Sequence, residues 1–248
     1  MLKRERQELI LHEVNRHNKV LIGDLSGVIK VSEDTVRRDL IELSKKGKLV
    51  KVHGGALSNS FRNSFKHTDI YSLEEKKTIA HKAIALIKDG MYIHTTGGTT
   101  ILEMARLLPE TLKATFITGS IQAAFEYLQH PHLEVILIGD RIARNSQITV
   151  GGEAITKIKT FNADLCFLGV NALDVEHGLT DNDYEVAQVK RAIIESSDRV
   201  VVLSIAEKLN TQQKIQVCPV SQIQTLITEV PPNHPALEAY HQSGIEVI

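Results

Sequence analysis

The chain has 248 residues, 42% of them hydrophobic and 24% charged, with a formal net charge of −1. That is the composition of a soluble globular protein with room for one small domain and one of ordinary size. Its apolar runs are too short to span a bilayer and no apolar block follows the basic N-terminus, which argues against a membrane helix or a signal peptide and for a cytoplasmic setting.

Residues 3–17 lack Pro and Gly and place Ile10 and Val14 at i, i+4, so a first helix is expected there. Residues 20–29 read as an extended entry and a short second helix. Gly23 and Gly27 weaken that helix, since each costs about 1 kcal/mol against Ala. Ser32 is a good N-cap, followed by Glu33 and Asp34 where the helix dipole favours negative charge. Val36, Leu40 and Leu43 make one apolar stripe. Thr35 and Arg38 lie away from it and Arg37 lies on its flank. A short helix with a buried stripe and arginines on its wet side is what a DNA recognition helix needs, although a plain solvated helix fits this decapeptide equally well.

The flanks tip the balance. Lys45 to Lys48 form a basic last turn with a Gly47 stop, and Leu49 to His53 read as a strand ended by Gly54-Gly55, one side of a β-wing. Residues 1–56 hold twelve Lys and Arg against eight Asp and Glu, so a basic head sits on an acidic body. Three helices and a wing make a winged helix-turn-helix over 1–57. Ser32, Thr35, Arg37 and Arg38 are its candidate base-reading residues, and Lys48, Lys51 and His53 its candidate phosphate contacts.

Residues 58–73 lack a clear period and read as a linker whose Phe61, Phe65 and Tyr71 must pack somewhere, possible docking points between head and body. From 74 onward, helices alternate with short apolar strands. Helices are expected at 74–88, 101–108, 121–129, 185–196 and 236–243. Strands are expected at 91–94, 114–117, 133–138, 163–168, 199–203, 225–228 and 246–248. Alternation of this kind implies a mostly parallel sheet covered on both faces, with ligands outside the carboxyl ends of the strands. The loop Thr95 to Thr100 matters most. Gly97 and Gly98 let backbone approach an anion, Thr99 and Thr100 offer hydroxyls, and the next helix offers free amides. A tight turn that binds nothing is the competing reading. Absence of a Gly-Lys-Ser/Thr sequence argues against a nucleoside triphosphatase. Other strand ends carry Thr118-Gly119-Ser120, Gly139-Asp140 and Gly169-Val170-Asn171. Cys166 and Cys218 sit in apolar surroundings and read as buried thiols. His130 and His132 flank Pro131 without ligand spacing, so neither a metal nor a cofactor is expected.

Glu5-Arg6, the run Thr35-Val36-Arg37-Arg38-Asp39-Leu40, Gly47 and His53-Gly54-Gly55-Ala56 resemble the N-terminal domain of the DeoR family of bacterial transcriptional regulators. Residues 74–248 resemble, more diffusely, that family's effector domain, of the same fold group as ribose-5-phosphate isomerase and glucosamine-6-phosphate deaminase. The carrying residues include Glu75-Lys76, Gly98-Thr99-Thr100, Thr118-Gly119-Ser120, Gly139, Gly178-Leu179-Thr180, Val189-Lys190-Arg191 and Glu207-Lys208. The resemblance implies a repressor of a sugar catabolism operon, a double-stranded operator, a homodimer or homotetramer, and a phosphorylated sugar as effector. It adds Lys208 to an effector site of Thr96, Gly97, Gly98, Thr99, Thr100, Thr118, Gly119, Ser120, Gly139 and Asp140. Thr96 stands where the family commonly has Asp, and Asp140 where a second Gly is common.

An isomerase or deaminase with a DNA-binding appendage is the alternative. Such an enzyme needs a base beside a carbonyl. The isomerases carry Asp-Gly-Ala-Asp at a strand end. Here Gly169-Val170-Asn171-Ala172 offers Asn171, with no carboxylate along the chain until Asp174.

Overall fold

The computed structural model describes residues 1–59, 70–144 and 146–248. They fall into two compact units, Met1–Tyr71 and Ser72–Ile248. Most of the expected linker, Phe61 and Phe65 included, lies outside the described residues.

The first unit runs α1 (Lys3–His17), β1 (Lys19–Leu21), α2 (Ile22–Ile29), α3 (Glu33–Lys45), β2 (Leu49–Val52) and β3 (Gly55–Ser58). Ile10, Val14, Leu25, Ile29, Val36, Leu40 and Leu43 meet in one core, so the expected stripe is the packed face of α3. Lys30, left-handed at φ 57°, ends α2 and turns the chain sharply into α3. Ser32 Oγ accepts from the Thr35 amide at 3.4 Å, as an N-cap should. The wing is an antiparallel hairpin, Val52 opposite Gly55, and β1 pairs with its far side to give the order β1-β3-β2. A Cβ on Gly55 would lie 2.0 Å from the Val20 carbonyl oxygen, so only glycine lets β1 cross there. Tyr71, expected as a docking aromatic, hydrogen-bonds His12 of α1 at 3.4 Å within this same unit.

The second unit begins with α4 (Leu73–Ile84), β4 (Tyr92–Thr95), α5 (Thr99–Leu107), β5 (Thr115–Thr118), α6 (Ile121–Tyr127) and β6 (Glu134–Leu137). A hairpin follows, β7 (Arg141–Ala143) and β8 (Ile148–Val150), then α7 (Gly152–Ile158) and β9 (Ala163–Gly169). The chain continues through β10 (Ala172–Asp174), β11 (Gly178–Asp181), α8 (Tyr184–Glu195), β12 (Ser197–Leu203), β13 (Ile215–Cys218), β14 (Thr225–Ile227), α9 (Glu238–Gln242) and β15 (Glu246–Val247). Among the described residues seven strands form the main sheet, ordered β15-β14-β12-β9-β4-β5-β6 and parallel throughout. Strand order reverses between β4 and β9. That reversal opens a crevice at their carboxyl ends, the usual ligand position in such sheets.

Three regions differ from expectation. Helix α4 stops at Ile84 rather than 88, because Leu86 and Ile87 donate to Ala83 and Ile84 and tighten the end into i→i+3 turns. The β7–β8 hairpin and α7 occupy a stretch without expected elements. A second antiparallel sheet, β10-β11-β13, lies where no strands were expected. All of these strands have three or four residues, too short to show a period.

Candidate functional site

On α3, Arg37 and Arg38 are exposed while Val36, Asp39 and Leu40 are buried. Arg37 donates to Asp34 at 2.8 Å in an exposed pair, which is weak and easily exchanged for a phosphate or base. The Ser32 and Thr35 hydroxyls share a hydrogen bond at 2.9 Å at the start of the helix. Lys48, Lys51 and His53 are exposed on the wing. Asp39 was not expected as a structural group. It accepts from Arg6 Nε at 2.5 Å and from Gln7 at 3.2 Å, and so fastens α3 to α1. Glu5 caps α1 by accepting from the Leu2 amide at 2.9 Å. The Glu5-Arg6 pair and the last acid of the Arg-Arg-Asp-Leu run are therefore scaffold, and the arginines are what the scaffold presents.

In the second unit the predicted loops gather at the crevice. The Thr96 amide donates to Phe167 O at 3.2 Å, and the Gly169 amide donates to Thr96 Oγ1 at 2.9 Å. Thr96 is thus a tie between β4 and β9 across the strand reversal. A Cβ on Gly169 would lie 2.8 Å from Gly97 O, so these backbones touch. Gly98, at φ 109°, opens α5, and Thr99 and Thr100 form its buried first turn. Hairpin β7–β8 roofs the neighbouring loop: the Thr149 amide donates to Gly119 O at 2.8 Å, and Ser120 bridges Ile148. Thr118 and Ser120 also serve the fold. Thr118 Oγ1 donates to Thr95 O at 3.0 Å, and Ser120 Oγ caps α6 by accepting from the Ala123 amide at 3.2 Å. Asp140 caps α7, accepting from the Arg141 and Ala154 amides, and these bonds hold its carboxyl below the usual range. It fills the space beside Gly151 that a side chain there would need. Gly139 has open space where a Cβ would stand.

Lys208 is buried and donates to Val170 O at 2.7 Å, directly after the Gly169 that Thr96 holds. Burial, with Lys76 and Lys190 nearby, pushes its amine down to about 7. Lys76 is also buried, and desolvation lowers it to about 8 against the pull of Glu103 on α5. Lys190 Nζ donates to the buried Asp181 at 2.8 Å. Three lysines thus converge behind the crevice. Lys76 and Lys190 were noticed only as letters of a resemblance; lysines buried on otherwise apolar helix faces were the signal available. Asn171 donates to Asp181 at 3.0 Å, so a carboxylate does stand at this strand end, brought in from β11. It also accepts from Lys190 and from the amides of Asn182 and Asp183. Its oxygens are thus engaged by structural donors on three sides. Asp174 holds a tight turn instead, accepting from the amides of Glu176 and His177.

A winged helix-turn-helix beside a parallel α/β unit with a strand-end crevice defines a DNA-binding transcriptional regulator. Residues 6–62 match the model of the DeoR-like helix-turn-helix domain, and residues 72–230 that of the DeoR C terminal sensor domain. The chain belongs to the DeoR family. It is 31% identical over its whole length, and 96% of the relative's, to the uncharacterized HTH-type transcriptional regulator YulB of Bacillus subtilis. It is 30% identical to the HTH-type transcriptional regulator GolR of Listeria innocua, covering 98% of this chain and 97% of that one. The putative aga operon transcriptional repressor of Escherichia coli O157:H7 is 28% identical over 98% of this chain and 93% of its own. Among solved structures, ribose 5-phosphate isomerase A of Methanocaldococcus jannaschii aligns with a TM-score of 0.41 at 20% identity, over 54% of this chain and 53% of that one. Among the described residues no helix is long and apolar enough to cross a membrane.

Proposed function

We propose that this protein represses a sugar catabolism operon and that a phosphorylated sugar in the β4/β9 crevice modulates its operator affinity. One observation carries the effector reading: three buried lysines, Lys76, Lys190 and Lys208, converge behind the glycine-threonine loop that opens α5. Asp181 already offsets Lys190 and Glu103 draws on Lys76, while Lys208 donates to a carbonyl and lies near both other lysines, an excess of buried positive charge that an anion relieves. A phosphate at the Gly98-Thr99-Thr100 turn meets free amides and the positive helix end, with the lysines supplying charge. Relatives named as repressors, including that of the aga operon, support the direction of control. The occupied Asp181 and the amide at Asn171 favour sensing over isomerase or deaminase chemistry. DNA and phosphosugars meet in the cytoplasm, which is where this reading places the protein.

The test is operator titration by fluorescence anisotropy, using DNA from upstream of the gene, with and without a panel of phosphosugars and their unphosphorylated parents. A phosphorylated member shifts operator affinity by roughly 5- to 150-fold, the usual range of such coupling, and its parent does not. An equal response to a parent sugar would remove the phosphate from the reading, and turnover of a phosphosugar would restore the enzyme.

A further inference from the structure

Every apolar residue of α3 but one faces the core of the head. Val36, Leu40 and Leu43 are buried there, and Ile41 is 39% exposed. At about 100° per residue, Ile41 projects between the two arginines of the helix, roughly 40° from Arg37 and 60° from Arg38. Asp34 and Lys45 flank it on the same face, and all four charged residues are exposed. A single apolar residue on a protein surface is ordinary. This one stands at the centre of a charged face, where its β-branched side chain serves the helix less well than Ala, Lys or Glu. Helix propensity therefore does not account for it, and packing in the core of the head does not use it.

Its spacing does account for it. Asp34, Arg37, Arg38 and Ile41 fall at i, i+3, i+4 and i+7. A helix laid in the major groove turns residues so spaced toward the base edges over two successive turns. The arginines suit the paired acceptors of guanine. Apolar chemistry has a narrower choice, because the one apolar group that the bases present in that groove is the C5-methyl of thymine.

We propose that Ile41 packs against a thymine methyl group in the operator and so helps to set the sequence that this protein reads. The contact removes two apolar surfaces from water together. Cytosine at the same place lacks the methyl and sets an amino group against the side chain, where it finds no acceptor. Such a contact adds discrimination without adding charge, so it leaves the salt dependence of binding to the lysines and arginines. It rests on the DNA-binding class of the family and not on any phosphosugar.

The full-length chain tests this on DNA from upstream of the gene. The protected stretch is mapped by nuclease footprinting, and each thymine within it is replaced in turn by deoxyuridine, which lacks only the methyl group. Fluorescence anisotropy with the wild type and Ile41→Ala then closes a double-mutant cycle at each position. At one or more thymines, deoxyuridine weakens the wild type roughly 3- to 10-fold, the scale of one methyl group leaving an apolar contact. The same replacement has no further effect on Ile41→Ala, which is itself weakened to a similar extent on unmodified operator. Random DNA binds both proteins equally, because the phosphate contacts are untouched. The unfolding midpoint of Ile41→Ala does not fall, since alanine favours the helix. Ile41→Gln runs the same cycle if the alanine variant misfolds. A wild type indifferent to every methyl, a variant that keeps the full sensitivity at every thymine, or equal weakening on operator and random DNA overturns the contact. Arg38→Ala in the same titration separates the two levels of the reading: if it weakens operator binding while Ile41→Ala does not, α3 remains the recognition helix and the methyl contact alone is lost.

Discussion

Asp39 and Arg6 meet at 2.5 Å across two helices, with the carboxylate side chain 3% exposed and the guanidinium 15%. The contact fixes the recognition helix to the first helix from its buried side. Removing one partner strands a charge. Asp39→Ala is therefore expected to lower stability by about 3 kcal/mol, read from urea unfolding. Arg38→Ala touches only the exposed side. It is expected to leave stability within about 0.5 kcal/mol of wild type and to cost roughly 1–3 kcal/mol of operator affinity. Wild-type affinity in Arg38→Ala would place base reading on another element.

The wing tests the electrostatic part of binding. Lys48→Ala and Lys51→Ala are each expected to reduce the dependence of log affinity on log salt by about one unit, while operator and random DNA weaken in parallel. A changed base preference with an unchanged slope argues that the wing reads sequence instead.

Two glycines in the head should respond in opposite directions. Gly55→Ala drives a methyl group to 2.0 Å from the Val20 carbonyl, which the crossing of β1 cannot relieve without moving backbone. A loss of about 2 kcal/mol or more is expected from such overpacking. Gly27 has nothing within 4 Å of a new Cβ and lies within α2. Gly27→Ala is expected to stabilise the head by about 0.5–1 kcal/mol, and a loss there would contradict the helix.

Lys208 and His94 divide the pH response into separate windows. The Lys208 amine, ordinarily near 10.5, is held at about 7 by burial and neighbouring lysines. Between those values the unfolded chain binds the extra proton, so this group makes stability rise with pH across that window. His94 is buried in β4, its Nε2 has no partner among the described residues, and desolvation lowers it from 6.5 to about 4. Its contribution is complete above 6.5 and is lost as pH falls toward 4. Lys208→Met is expected to flatten the alkaline rise alone, and His94→Leu the acid fall alone, in unfolding followed across pH. A phosphosugar bound near Lys208 should draw a proton back onto it. Calorimetry near pH 8 in buffers of different ionisation enthalpy should then show proton uptake, and its absence would separate Lys208 from the anion.

Much of this was legible in the residues because the signals are local. The α1 span, the Ser32 cap, the Val36-Leu40-Leu43 stripe and the alternation from β4 to β9 each lie within one turn or one strand. Two kinds of information stayed hidden. The first is pairing over distance: Asp39 reads as one more surface acid of α3 until Arg6 is placed against it, and Asp181 joins Asn171 only when β11 folds beside β10. The second is double duty. Thr96, Thr118, Ser120 and Asp140 read as ligand groups from their strand-end position and from the family resemblance. Their side chains already make the ties and caps that shape the crevice, while the charge comes from lysines on helices and on the segment after β12.

The strand order also has a temporal side. The central pair β4 and β9 is separated along the chain by β5, β6, the hairpin and α7, so on the ribosome β4, β5 and β6 must wait with an open edge until β9 emerges. Non-local pairing of this kind slows folding and keeps strand edges exposed in the meantime. The core of the head is drawn from residues between Ile10 and Ala56, so it is complete in sequence once β3 is made. During each round of synthesis a finished DNA reader therefore precedes any sensor sheet.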